Sequence, residues 1–172
     1  MSTITALTKD ELLASLQKEV RILLHLISKV EPEMLDYRPT PEQRSTLELL
    51  RYLSFMGPTL IASIKAGAFD GAAWEASQNE ANAAGLDELI SSIESHFSNY
   101  AQLLEEFSDA DFRGNIELFG QSASRGRFLA DLVLAACAAY RMQLFLYLKS
   151  CGRKELNTMN LWAGVDAPVP VA

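Results

Sequence analysis

Histidine is scarce in this chain. There are two among 172 residues, His25 and His96, and two cysteines, Cys137 and Cys151. So few imidazoles and thiols leave little material for a site built from three or four of them. Basic residues are also in deficit: 15 Lys and Arg against 22 Asp and Glu give a net charge of -7. An acidic surface repels a phosphate backbone, so nucleic acid is not an expected partner. No apolar run approaches the ~20 residues of a membrane span, and no membrane partner is expected either. The N-terminal stretch lacks a basic segment followed by an apolar one, which reads against a signal peptide. Several chemical signatures are missing. Gly126 stands in Arg125-Gly126-Arg127 with no Gly-Lys-Ser after it, so there is no phosphate loop. No Gly-x-Ser-x-Gly elbow occurs. Glu94-Ser95-His96 has the wrong spacing for the Glu-x-x-His pair of carboxylate di-metal bundles. On one helix Cys137 and Cys151 would lie ~21 Å apart, too far to bridge. They read as free thiols in a reducing compartment, and the chain as cytoplasmic.

What the chain does have is helical periodicity. Nearly half the residues are hydrophobic, and 172 residues suffice for one domain with a buried core. Thr8-x-x-Glu11 is a capping box, and a helix follows to about Val30. Its stripe is Leu12, Leu13, Leu16, Val20, Leu23, Leu24 and Ile27, with His25 on the solvent side. Pro32, Pro39 and Pro41 make the next stretch an ordered loop. Ser45-x-x-Glu48 caps a second helix that ends at Gly67 and kinks at Gly57-Pro58. Ala68 to Gly85 reads as a long surface connection pinned by Trp74, with room for a helical turn around that residue. A third helix runs from Leu86 to Phe107, with Phe97 on its stripe and His96 half buried. Ser108 to Ala123 reads as a second loop. The last helix, Ser124 to Gly152, organises the rest, with Ala136, Tyr140 and Leu144 on its stripe. Residues 153–172 read as an extended tail ending in Pro168 and Pro170, along which Leu156, Met159, Leu161 and Trp162 can lie against the bundle. Four amphipathic helices with long connections make an all-α four-helix bundle, one domain over 1–172.

Within the last helix, Arg141-Met142-Gln143-Leu144 and the terminal Tyr147-Leu148-Lys149-x-x-Gly152 resemble the closing helix of the DinB-like family. The Ser45–Leu50 helix start and the Asp36-Tyr37-Arg38-Pro39 turn resemble it too. The resemblance covers roughly Leu12 to Gly152 and implies the DinB-like four-helix bundle. In that family a divalent metal is held by three histidines, one from the second helix and two from the last, and supports thiol transfer or isomerisation. Carried over by position, those three ligands fall at Tyr52, Ala136 and Tyr140. A methyl group cannot ligate, and a neutral phenol is a poor ligand because it ionises only near pH 10.

The resemblance therefore implies the fold and argues against the metal chemistry. No catalytic residue, metal or cofactor is expected. Tyr52 and Tyr140 are expected to fill the former cage and to hydrogen-bond with each other, with Gln143 or with water. The candidate pocket is Tyr52, Ala136, Tyr140, Gln143, Cys137 and His96. The expected function is a metal-free bundle that binds a small molecule of unknown identity or a protein partner, as a homodimer. The alternative is a thiol-dependent transferase or isomerase that keeps the family pocket with altered ligands, for instance Cys137 with His96.

Overall fold

Helix α1, Lys9–Ile27, starts where its capping box places it. The computed structural model describes residues 7–168. In it the Thr8 hydroxyl accepts from the Glu11 N–H at 3.2 Å. The Glu11 carboxylate accepts from the Thr8 N–H at 2.8 Å, so two otherwise orphaned donors are satisfied. Helix α2, Thr46–Ala66, repeats the device with Ser45 and Glu48. It runs unbroken through Pro58 and stops at Gly67, whose φ of 75° is the left-handed conformation that glycine adopts without strain.

The stretch after Gly67 is not the loop expected from its small, polar composition. Asp70 caps a helix α3, Gly71–Ala83, accepting from the Ala73 N–H at 2.9 Å. Alanines give it helix propensity, and Trp74 supplies its grip on the bundle. Helix α4 spans Leu86–Glu105. Its buried row is Leu89, Ile93, His96, Tyr100 and Leu104, a spacing of 4, 3, 4, 4. That row passes through His96 and leaves Phe97 exposed, so His96 is fully rather than half buried.

The second expected loop also has structure. Ser108 caps a short α5, Asp109–Arg113. Strands β1, Asn115–Leu118, and β2, Gln121–Ser124, then pair antiparallel, Ile116 opposite Ala123. Phe119 and Gly120 both have positive φ, 51° and 74°, the geometry of a tight two-residue hairpin turn. The strands are four residues each, too short to be legible from alternation alone.

The closing helix is continuous but not uniform. It comprises α6, Arg125–Phe128, a π-helical segment over Leu129–Leu134, and α7, Ala135–Ser150. The wider π turns rotate α7 about the helix axis. Val133, Arg141 and Leu144 become buried, while Ala136 and Tyr140 move to the flank and are half buried. Taken as a whole, Arg125–Ser150 is long and apolar enough to cross a membrane by length and composition, with only 22% of its apolar window buried. The expectation that no such stretch exists counts uninterrupted apolar residues. It misses a helix in which two charges punctuate the apolar window.

Residues 153–168 correct the extended-tail expectation. Asn157 caps α8, Thr158–Trp162, which packs against α1 and α7. Leu156, Asn160 and Leu161 are buried there. Gly164, at φ 65°, closes on α1 so tightly that a Cβ would lie 3.1 Å from Ile22 Cα. This covering explains why Ile22 and Leu26 are core while Leu13 and Leu24 are only half buried. His25 is likewise not solvated: Asn160 donates to its Nε2 at 3.0 Å, and its ordinary basicity is lowered by burial. Pro170 lies outside the described residues. The architecture is an all-α bundle, α2 and α1 packing on α4 and on α7, with the small hairpin at one end.

Candidate functional site

Tyr52 and Tyr140 meet where α2 faces α7. Their rings pack edge to face, 5.0 Å between centroids and 68° between planes. Such pairs contribute beyond the area they bury. The Tyr52 ring also touches Phe55 and Trp74, at 5.8 and 6.0 Å, so Trp74 pins α3 to the bundle. The Arg44 guanidinium lies 4.1 Å over the Tyr52 ring, a cation–π contact that closes the pair from outside. Burial, and then the adjacent Tyr140 hydroxyl, push the Tyr52 phenol well above its usual range. It stays neutral at physiological pH.

Ala136 lies one turn before Tyr140 and packs against the core. Gln143 does not join the two phenols. It donates to the Tyr147 hydroxyl, which donates in turn to the Arg44 carbonyl at 2.9 Å. That link ties the loop bearing Arg44 to α7.

His96 gathers a second set of contacts around Tyr100, and Cys137 lies near both Tyr100 and Tyr52. Pro58 has no N–H, so the helical bond to the Ser54 carbonyl, four residues back, cannot form. That carbonyl instead accepts from His96 Nε2 at 2.9 Å and from the Ser92 hydroxyl at 3.1 Å, both on α4. A carbonyl only accepts, so Nε2 carries the proton and Nδ1 is free to accept from the Tyr100 hydroxyl, 3.4 Å away. The Cys137 thiol lies near the same phenol, and burial pushes it up to about 12. A thiol held neutral this way is a poor nucleophile. Tyr100 therefore stands between His96 and Cys137, and both serve the core.

Burial lowers His96 to about 4. The unfolded chain takes up a proton below about pH 6.5, while the folded chain refuses it until about pH 4. Stability is thus fully present above the unfolded value and falls as pH drops. Between pH 7 and 5 the loss from this residue is about 2 kcal/mol. His96→Gln keeps a donor toward Ser54 but cannot titrate. Urea melts at the two pH values are expected to show this loss in the native protein and its removal in the variant.

Two cavities flank these groups. A groove of about 560 Å³ runs between α2, α3 and α4, with Ser54, Glu80, Asn99 and His96 in its walls. A cleft of about 360 Å³ lies on the outer side of Tyr52 and is lined by neither Ala136 nor Tyr140. Arg38, Arg44 and Arg51 surround it, with Gln78 and Asn82 of α3 opposite. Among the described residues, no three His, Cys, Asp or Glu side chains cluster as a metal cage would require. Sequence reading misses this cleft because its far wall lies on α3, which composition hides. The spacing Glu48, Arg51, Tyr52, Phe55 is its visible trace, one face of α2 aimed at a neighbour.

The fold is similar to the crystal structure of the DinB-like protein YjoA from Bacillus subtilis. The TM-score is 0.65 at 19% sequence identity, covering 86% of this chain and 95% of that chain. At that identity the likeness establishes the fold, and this is a DinB-like bundle. No protein-family model matches the chain, and no curated protein matches it.

Proposed function

We propose that this protein is a metal-free DinB-like bundle that binds a small molecule in the cleft beside Tyr52 and acts as a homodimer. The Tyr52–Tyr140 ring contact carries the reading. It occupies two of the three positions where the resemblance places metal ligands, and Ala136 occupies the third. Two phenols and a methyl group make a poor ligand set for a divalent metal, yet the contact leaves a cleft outside it. The alternative transferase reading needs a reactive thiol, and Cys137, whose thiol is held neutral, does not support it. Two free cysteines agree with a reducing compartment such as the cytoplasm.

The test is a screen with a mixed set of neutral, cationic and anionic fragments, observed by NMR at the Gln78 and Asn82 side-chain amides. Saturable shifts there support the reading. Silence at these amides with every fragment overturns it.

The dimer face is on α7. Ala135, Ala139, Met142 and Leu146 are all exposed and line one side of this helix. A bilayer does not suit that face, because the same helix carries Arg141 in a buried ion pair with Glu19 and packs on α1 and α2. A second copy does: a symmetric pair would cover both apolar faces at once. Light scattering after size exclusion is expected to give a dimer for the native protein and a monomer for Leu146→Glu. A native monomer would remove this part of the proposal.

A further inference from the structure

We infer that the cleft beside Tyr52 selects a small organic anion, bearing a carboxylate or phosphate head and a short apolar body. The inference rests on the proposed binding function and names its ligand class. A chain of net charge -7 places three of its 15 basic residues around one cleft of about 360 Å³. Their charges are not equally engaged. Arg38 is paired with Glu48 at 3.2 Å, and that same carboxylate accepts from the Ser45 N–H. Arg44 lies over the Tyr52 ring at 4.1 Å, a cation–π contact that leaves its charge without a carboxylate partner among the described residues. Among the described residues neither Arg44 nor Arg51 has a carboxylate at ion-pair distance. The Arg51 Nε is shielded from solvent and has no hydrogen-bond partner among those residues.

That nitrogen is out of reach of a ligand in the cleft, so an anion is favoured there because Arg44 and Arg51 line the cleft without a carboxylate partner among those residues. A carboxylate or phosphate oxygen is the acceptor that the guanidinium fork matches best. The remaining walls fit the body of such a ligand. Phe55 gives an apolar floor one turn from Arg51 on α2. Gln78 and Asn82, one turn apart on α3, offer amides that can donate to the head or accept from a hydroxyl. Glu42 on the rim is exposed, and its charge acts through water. The volume lies at the small end of ligand sites, suited to a single ring with a head group.

The test titrates phenyl phosphate, benzoate and benzyl alcohol into the full-length protein by calorimetry, with the Gln78 and Asn82 amides followed by NMR. Both anions are expected to bind saturably, and the tighter of the two identifies the head group. Benzyl alcohol, which has the same ring without the charge, is expected to bind at least about tenfold more weakly. Arg51→Gln is expected to weaken the anions about tenfold and to leave the alcohol unchanged, while Arg51→Lys, which lacks the fork, falls between. Circular dichroism checks that both variants fold. Equal binding of alcohol and anions, or anion binding unchanged in Arg51→Gln, overturns the inference while the cleft remains a ligand site. Silence of all three probes also overturns it, and the broader fragment screen then decides the binding function by itself.

Discussion

Replacing Arg141 by Met is expected to cost about 3–5 kcal/mol, the usual loss when one partner of a buried ion pair is removed. The pair is well enclosed, with 5% of the Arg141 side chain and 12% of the Glu19 side chain exposed. Arg141 Nε donates to one Glu19 oxygen at 2.6 Å and its terminal nitrogen to the other at 3.3 Å. The same guanidinium donates to the Leu161 carbonyl and lies 5.2 Å from the centre of the Trp162 ring. One side chain thus joins α1, α7 and α8. Its removal leaves Glu19 charged and unpaired and frees α8 from the bundle. For a chain of this length the melting temperature should fall on the order of 10 °C. The double variant Glu19→Leu/Arg141→Met is expected to recover much of that loss, since an apolar pair carries no desolvation cost. A double variant no more stable than the single one would show that α8, not the charge, dominates.

Gly57→Ala should be the most damaging one-carbon change in the protein. In an open helix it would stabilise by about 1 kcal/mol. Here the added Cβ would fall 2.0 Å from the Tyr100 hydroxyl oxygen and 2.9 Å from the ring carbon bearing it. Tyr100 cannot swing aside, because it is fully buried between His96 and Cys137. α2 and α4 must therefore separate, at an expected cost of about 3 kcal/mol for overpacking. Chemical denaturation measures it directly. Gly57→Ala/Tyr100→Phe removes the closest atom and should restore part of the loss. An unchanged midpoint in Gly57→Ala would contradict the close approach.

These two positions show how far the sequence can be read. The capping boxes at Thr8 and Ser45 and the stop at Gly67 are legible because each is a local rule satisfied within four residues. The bundle follows from them. A stripe through Phe97 sets His96 too far toward the surface. The 4, 3, 4, 4 row and the carbonyl released by Pro58 both point to His96, but only once α4 is known to face α2. On the last helix the π-helical turns shift the register, which no count at 3.6 residues per turn can show. α3, the hairpin and α8 are short or polar elements stabilised by tertiary packing, so propensity alone hides them. Of the six candidate pocket residues, the structure brings Tyr52 and Tyr140 into ring contact, with Ala136 one turn before Tyr140. Gln143 bonds to Tyr147 and His96 to Tyr100, while Cys137 lies near both Tyr100 and Tyr52.

The Tyr52 and Tyr140 rings meet at two positions where the resemblance puts metal ligands, and zinc content tests directly whether a metal binds there. Untagged native protein and Tyr52→His/Ala136→His/Tyr140→His would each be soaked in Zn²⁺ and dialysed. The native protein should retain less than about a tenth of an equivalent, and the variant about one, as three imidazoles normally provide. A full equivalent held by the native protein would contradict a metal-free bundle.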